Sequence, residues 1–142
     1  MLESVNMHSA VSAVDQIVNS VKADIASGAL KPGDRLLSMQ ELAEKLNLNF
    51  NTVNKAYRDL EVLGYIQGRR GTGVFVRQGA DQKCRQDVRE SIVRGLYEVL
   101  ADVRSAGIAN ADVQELVKMC LDSDAGPYGD APKSLLAMAK RV

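Results

Sequence analysis

Residues 38–64 have the sequence SMQELAEKLNLNFNTVNKAYRDLEVLG, and this stretch decides the fold. Ser38 can cap a helix, and Glu41 three residues later completes a capping box. Asn49 is a second candidate N-cap, and Gly64 is typical of the residue that follows a helix. The stretch therefore predicts two helices joined by a tight turn.

The two predicted helices cover residues 38–46 and 50–63, and each has apolar residues along one face. A further helix is predicted upstream, over residues 11–27, where apolar residues recur at helical spacing as far as Gly28. A helix pair of this length and spacing suits the DNA-binding helix-turn-helix, although such pairs also occur as plain packing units. The pattern alone favours DNA binding and leaves the packing role open.

A basic hairpin follows the three helices. Residues 65–67 and 74–76 are predicted as short strands because they consist largely of β-branched and aromatic residues. Between them, residues 68–73 have the sequence GRRGTG, which predicts the tip of the hairpin. Three helices followed by a basic hairpin are the order of elements in a winged helix. We therefore expect an N-terminal winged helix-turn-helix domain over residues 11–79.

The pattern changes beyond the hairpin. A helical stripe covers residues 83–105, the next two residues are Ala and Gly, and Asn110 can cap a second helix. A last helical stretch is predicted near residues 131–140. The predicted fold class is mainly α with a small β-hairpin, in which a short C-terminal helical region for dimerisation occupies residues 80–142.

The C-terminal helices predict a homodimer. Amphipathic helices of this kind cannot bury their stripes as a pair, and the apolar surface left in water would exceed what soluble monomers tolerate. The stripes must either dock on the first domain or pair with a second copy of the chain, and we expect the second copy. The residues predicted to make this contact are Val88, Ile92, Leu96, Val99, Val103, Val113, Leu116, Val117 and Leu121.

Composition and charge exclude some classes of protein. No apolar run approaches the ~20 residues that span a bilayer, and the start of the chain has no signal-peptide pattern, so we expect a cytoplasmic protein without membrane contact. Lys and Arg total 18, as do Asp and Glu. Bulk charge therefore gives no support to nucleic-acid binding, and any DNA affinity depends on where the charges lie.

The cysteine and histidine content predicts no metal centre. Cys84 and Cys120 form no C-x-x-C pair and are expected to be free thiols, with Cys120 filling space in a helical core. The single histidine, His8, leaves no His/Cys ligand set. No nucleophile–base pair or pair of acids stands out, so we expect neither a cofactor nor enzymatic activity.

Five short motifs occur at fixed spacing in residues 25–76. They are G-x-L-x-P-G-D-R-L at 28–36, S-x-x-E-L-A at 38–43, N-T-V-x-K-A-Y at 51–57, L-E-x-x-G-x-I at 60–66 and G-x-G-x-F-V at 71–76. This set strongly resembles the GntR family of regulators. The short appendage, with the sequence AGIANADVQEL at 106–116, resembles the YtrA-like subfamily. The resemblance implies operator binding, dimerisation through the appendage and regulation of nearby genes, commonly membrane-transport operons.

The chain departs from the family pattern at Leu37, where the family commonly has Pro, and at Gln40 and Phe50, where it commonly has Arg. Those arginines often contact bases or phosphates. Arg is the usual bidentate partner of guanine, whereas Gln pairs best with adenine and Phe offers only an apolar contact, such as with a thymine methyl group. An operator sequence therefore cannot be carried over from relatives.

The helix pattern and the resemblance together indicate the DNA contacts. Asn and Thr at the start of the second helix suit base edges, and basic residues further along it suit phosphates. Arginines at the tip of the wing suit the minor groove. The predicted DNA-binding residues are Arg35, Ser38, Gln40, Asn49, Phe50, Asn51, Thr52, Asn54, Lys55, Arg58, Arg69, Arg70, Gly71, Thr72 and Gly73.

Two functions remain open on the sequence. The first is a sequence-specific transcriptional regulator, a repressor, that binds double-stranded, near-palindromic operator DNA as a homodimer. The second is a winged-helix adaptor that uses the same fold for protein contacts, which zero net charge and the two missing arginines favour. The retained Asn51, Thr52, Lys55, Arg69 and Arg70 favour the first function. No residue pattern identifies a small-molecule effector.

Overall fold

The computed structural model describes residues 2–122. In chain order the elements are α1 (Ala13–Ser27), α2 (Met39–Leu46), α3 (Phe50–Val62), β1 (Ile66–Arg69), β2 (Gly73–Val76), α4 (Ala80–Ser105) and α5 (Asn110–Leu121). The two strands form one antiparallel sheet. This order confirms the predicted fold class of a winged helix-turn-helix followed by a helical region.

The first three helices enclose an apolar core. Helix α1 begins after Ser12, whose side chain accepts a hydrogen bond from the Asp15 amide, and ends at Gly28, whose φ of 85° is left-handed. Burying side chains of this kind is the main source of stability in a small domain. The buried apolar residues of the three helices are Ile17, Val18, Val21, Ile25, Leu42, Ala43, Leu46, Val53, Ala56, Tyr57 and Leu60.

The turn between α2 and α3 follows the predicted capping pattern. The Ser38 side chain and the Glu41 side chain each accept a hydrogen bond from the other residue's backbone amide, which completes the capping box. Asn47 ends α2 with a left-handed φ of 51°, and the Asn49 side chain then caps α3. Both helix boundaries agree with the prediction to within one or two residues.

The hairpin is longer in its strands and shorter in its tip than predicted. β1 pairs with β2 from Ile66 opposite Val76 to Arg69 opposite Gly73, so three residues form the tip instead of six. Tyr65 lies before β1 and is buried, because it packs into the core that the helices enclose.

The segment of residues 34–36, just before α2, pairs with β2 through backbone hydrogen bonds. The Leu36 amide donates to the Val74 carbonyl at 2.9 Å, and the Val76 amide donates to the Asp34 carbonyl at 2.9 Å. Arg35 is accordingly bridged to Phe75 in antiparallel fashion. The wing is therefore fastened to the segment that leads into the helix-turn-helix.

Helix α4 begins three residues earlier than predicted, at Ala80. Ala80 and Cys84 are buried in the core, and Val88 packs against it. The chain divides into two compact units, one ending at Glu90 and the other beginning at Ser91. The first turns of α4 thus complete the N-terminal unit.

The second unit contains the rest of α4 and all of α5. Two predictions about α5 are wrong. Asn110 is its first residue and not its cap, since Ala109 occupies that position and makes no side-chain hydrogen bond. Cys120 is exposed, as α5 has no buried residue within the described part of the chain. The buried thiol is that of Cys84. The helix predicted near residues 131–140 lies outside the described residues.

A membrane-spanning helix needs about 20 predominantly apolar residues. Within residues 2–122, no helix is both long enough and apolar enough to cross a membrane.

Candidate nucleic-acid interface

Helix α3 separates its side chains into a buried face and a polar face. Val53, Ala56, Tyr57 and Leu60 are buried. On the opposite face Asn51, Lys55 and Arg58 are exposed, while Thr52 and Asn54 are partly exposed. The apolar face packs into the core, and the exposed residues of the polar face can contact a partner.

Tyr57 fixes α3 against the segment before α2. Its hydroxyl donates to the Leu37 carbonyl at 2.7 Å. Burial, and next the charge of Glu41, raise the pKa of Tyr57, so this hydroxyl remains a neutral donor. Leu37, the position where relatives commonly have Pro, is partly buried and packs on the core.

The N-terminus of α3 carries no acidic side chain in its first turn, whereas α1 has Asp15 and α2 has Glu41 there. A helix N-terminus has a partial positive charge that an acidic residue would offset. The Asn49 side-chain oxygen accepts from the Asn51 backbone amide at 2.8 Å. Asn49 itself is exposed. This end of α3 is suited to approach an anionic surface.

The start of α2 is held by its capping box. The Ser38 amide donates to the Glu41 carboxylate at 2.7 Å, and the Ser38 hydroxyl accepts from the Glu41 amide at 3.2 Å. The hydrogen bond from the Ser38 backbone to the carboxylate, then that from the Ser38 side chain, and then the charge of Arg35 lower the pKa of Glu41. Gln40 is exposed, and its amide nitrogen donates to the Glu44 carboxylate at 2.9 Å. Ser38 is committed to the cap, while Gln40 keeps its amide oxygen for other contacts.

Three arginines line one open groove at the wing. The groove encloses about 480 Å³ and is bordered by Arg35, Arg69, Arg70, Thr72 and the glycines 68, 71 and 73. Neither Arg69 nor Arg70 forms an ion pair within the described part of the chain. Arg69 and Arg70 therefore give the groove positive charge that no ion pair among the described residues offsets.

The wing arginines are positioned by their neighbours. The Arg69 guanidinium lies 5.0 Å from the centre of the Phe75 ring, a cation–π arrangement that fixes its direction. Gly73, with φ of 130°, packs beside Arg35, and a Cβ atom there would lie 2.9 Å from the Arg35 Nε. Arg35 and Arg69 thus depend on residues of β2.

Two positioning residues, Phe75 and Glu61, are absent from the sequence-based prediction. The Glu61 carboxylate accepts from the Gly68 amide at 2.8 Å and so joins the end of α3 to the start of the wing. Arg69 lies opposite Gly73, and Phe75 is two residues further along β2. Such diagonal neighbours on a hairpin are within reach of long and aromatic side chains, so the hairpin pattern could have indicated this contact. No local pattern could have indicated the contact of Glu61 with Gly68.

The sequence-predicted contacts form three groups in the structure. Arg35, Arg69, Arg70, Gly71, Thr72 and Gly73 lie together at the wing groove. Asn49, Phe50, Asn51, Thr52, Asn54, Lys55 and Arg58 lie along one side of α3 or at its cap, and Ser38 and Gln40 lie at the start of α2. No cluster of His, Cys, Asp and Glu able to hold a metal occurs in residues 2–122.

The residues predicted to form the dimer differ in their burial within one chain. Val88 packs against the core of the first unit. Ile92, Leu96 and Val99 are 62%, 51% and 58% exposed. Val103, Val113 and Leu116 are half-buried, while Val117 and Leu121 are exposed. An apolar surface on α4 therefore remains uncovered in the single chain.

A helix-turn-helix with an exposed polar face on its second helix, followed by a basic wing, defines the class of winged-helix nucleic-acid-binding proteins. The family model for bacterial regulatory proteins of the gntR family matches residues 13–76. The chain is 34% identical over 104 residues to the HTH-type transcriptional repressor YtrA of Bacillus subtilis, covering 73% of this chain and 80% of that protein. The chain belongs to the GntR family of transcriptional regulators and has that family's DNA-binding domain.

Solved structures agree with this assignment. A GntR family transcriptional regulator from Listeria monocytogenes superposes with a TM-score of 0.63 at 31% identity, covering 78% of this chain and 96% of that one. YtrA from Sulfolobus acidocaldarius, a GntR-family transcription factor, superposes with a TM-score of 0.53 at 34% identity, covering 68% of this chain and 99% of that one. The similarity thus extends beyond the winged helix into the C-terminal helices.

Proposed function

We propose that this protein is a transcriptional repressor that binds a near-palindromic operator as a homodimer. In this proposal residues 11–79 bind DNA and residues 80–142 dimerise. The observation that carries it is the N-terminal turn of α3, where Val53 faces the core while the Asn51 side chain is exposed. In helix-turn-helix proteins this is the turn that contacts base edges in the major groove.

Contacts along α3 divide by chemistry. Asn51 and Asn54 carry amides that can pair bidentately with adenine, and Thr52 can donate to a base or accept from one. Lys55 and Arg58 lie further along the helix and suit phosphate oxygens. Base contacts would supply specificity, and phosphate contacts would supply much of the affinity.

The wing supplies the second contact. Arg69 and Arg70 lie at or beside the three-residue tip, and both are exposed. Arginine inserted into a narrow minor groove is attracted by its negative potential. This local charge supports DNA binding even though the chain has a formal net charge of +0.

The exposed stripe on α4 supports a homodimer. Burial of a Leu or Val side chain is favourable by about 1.5–3 kcal/mol, so covering Ile92, Leu96 and Val99 with a second copy would stabilise both chains strongly. A two-fold dimer presents two recognition helices about one DNA turn apart, or a multiple of it, and so requires inverted half-sites. Repression is supported by the Bacillus subtilis relative that is named a repressor.

The test is selection of duplexes from a random library by the purified protein, followed by anisotropy measurements on the selected sequence. We expect an inverted repeat bound by two chains, and lower transcription from a promoter that contains it. The matched control is Lys55→Ala with Arg58→Ala, which should weaken binding to all duplexes alike. Failure to enrich any sequence would contradict the proposal and favour the protein-adaptor function.

A further inference from the structure

An exposed aromatic ring occupies the first position of the recognition helix. Phe50 is 45% exposed and is absent from the cluster of residues that forms the core. Nearly half of the surface of Phe50 is left in water, and its burial against another surface is favourable. The position of the ring on α3 therefore points to a partner surface with an apolar group.

The neighbours of Phe50 identify the surface. Side chains four residues apart lie on the same side of a helix, so Phe50, Asn54 and Arg58 form one row along α3. The row runs from an apolar group through an amide to a cation, the order expected from base edge to phosphate. In the major groove the apolar group that a base pair offers is the thymine methyl.

Basic side chains are missing from the same turn. Residues 50–53 are Phe, Asn, Thr and Val, so no Lys or Arg is present to make the bidentate contact that guanine favours. An amide such as that of Asn51 in this turn pairs with adenine instead. The first turn of α3 is therefore chemically matched to A·T pairs.

We propose that Phe50 contacts the 5-methyl group of a thymine in each operator half-site and so determines specificity for an A·T pair there. This inference rests on the proposed function. It adds the identity of a recognised base, which relatives with Arg at this position cannot supply.

The test replaces thymine by uracil, one position at a time, in the duplex selected from the random library. Uracil lacks only the methyl group and keeps every hydrogen-bonding group of thymine. At one position per half-site we expect the wild-type Kd to rise about fourfold, as for the loss of one buried methyl group. Phe50→Ala should bind the thymine and uracil duplexes at that position equally.

Two further variants serve as controls. Phe50→Leu keeps an apolar side chain and should keep part of the discrimination, while Val62→Ala changes a residue that is 87% exposed at the far end of α3 and should leave it intact. Circular dichroism verifies that each variant is folded. If wild type and Phe50→Ala both bind DNA but show the same ratio of Kd for the thymine and uracil duplexes at every position, the inference is overturned. A wild type that binds no duplex would overturn the proposed function, and the inference with it.

Discussion

The hydroxyl of Tyr65 donates a hydrogen bond to the carboxylate of Asp87. The same carboxylate accepts from the Lys83 ammonium at 2.8 Å, and that ammonium lies 4.7 Å from the centre of the Tyr65 ring. In the same part of α4, the Cys84 thiol donates to the Lys22 carbonyl at 3.1 Å. The contacts of Asp87 and Lys83 fasten the first turns of α4 to Tyr65, which immediately precedes the wing, and the contact of Cys84 fastens them to α1.

Replacing Tyr65 by Phe should lower the free energy of unfolding by about 1–2 kcal/mol, since it removes a hydrogen bond to a charged group but keeps the ring. Urea denaturation measures the change. Tyr97→Phe is the matched control, because Tyr97 is 68% exposed on α4 and its hydroxyl deletion should change little. Equal stability of the two variants would show that the Tyr65 hydrogen bond contributes nothing.

Asp87 should make the stability depend on pH in acid. The hydrogen bond from Lys83, and then that from Tyr65, lower the pKa of Asp87 below its ordinary 3.8. Ionised Asp87 therefore stabilises the fold above the ordinary pKa, and this contribution disappears as the pH falls through the lower folded-state pKa. The free energy of unfolding of the wild type should fall more steeply below about pH 4 than that of Asp87→Asn.

Lys83→Met is the complementary variant, because it removes the larger cause of the lowered pKa and should also flatten the acid dependence. Urea titrations at several pH values measure all three proteins. Parallel curves for wild type and both variants would contradict this role of Asp87.

Replacing Arg69 and Arg70 by Ala should weaken binding across DNA sequences. Each lost phosphate contact reduces the slope of log K against log salt by about one unit. Anisotropy at several salt concentrations measures that slope. Arg94→Ala is the control, since Arg94 is an exposed arginine of α4 outside the predicted interface. A folded double variant with an unchanged slope would exclude the wing from the interface.

Gly73→Ala should reduce DNA affinity by displacing Arg35. An added Cβ would lie 2.9 Å from the Arg35 Nε, and the φ of 130° is one that Ala rarely adopts. Gly28→Ala is the control, because its φ of 85° is also left-handed but its Cβ would meet nothing within 4 Å, and Gly28 lies outside the wing. We expect both variants to be less stable and Gly73→Ala to bind DNA more weakly than Gly28→Ala. Equal affinities would contradict the role of Gly73 in placing Arg35.

Local chemistry made the helix-turn-helix predictable. The capping box of Ser38 and Glu41 and the cap at Asn49 involve residues within three positions of each other, so the sequence contains the whole interaction. The Arg35–Phe75 bridge and the burial of Cys84 join distant segments and could not be derived that way. The error over Cys120 has a related cause, because helical periodicity predicts which face is apolar but not what covers it.

The dimer prediction rests on the exposed stripe of α4. Leu96, 51% exposed, lies between Ile92 and Val99 on this stripe. Leu96→Glu would place a carboxylate where a second copy should pack, and burying an unpaired charge is strongly unfavourable. We expect the wild type to sediment as a dimer at micromolar concentration and the variant to dissociate and lose tight operator binding.

Ala101→Glu adds the same charge to an exposed position on the opposite side of α4, and it should leave both the dimer and operator binding intact. Circular dichroism separates dissociation from unfolding, since a dissociated but folded variant keeps its helical signal. A duplex with a single half-site gives a further test. Once one half-site is bound, a dimer binds the second at a high effective concentration, and a monomer has no such gain. A wild-type monomer that binds one half-site as tightly as the full operator would contradict the dimer. Equal sedimentation of Leu96→Glu and Ala101→Glu as dimers would instead place the interface away from this stripe.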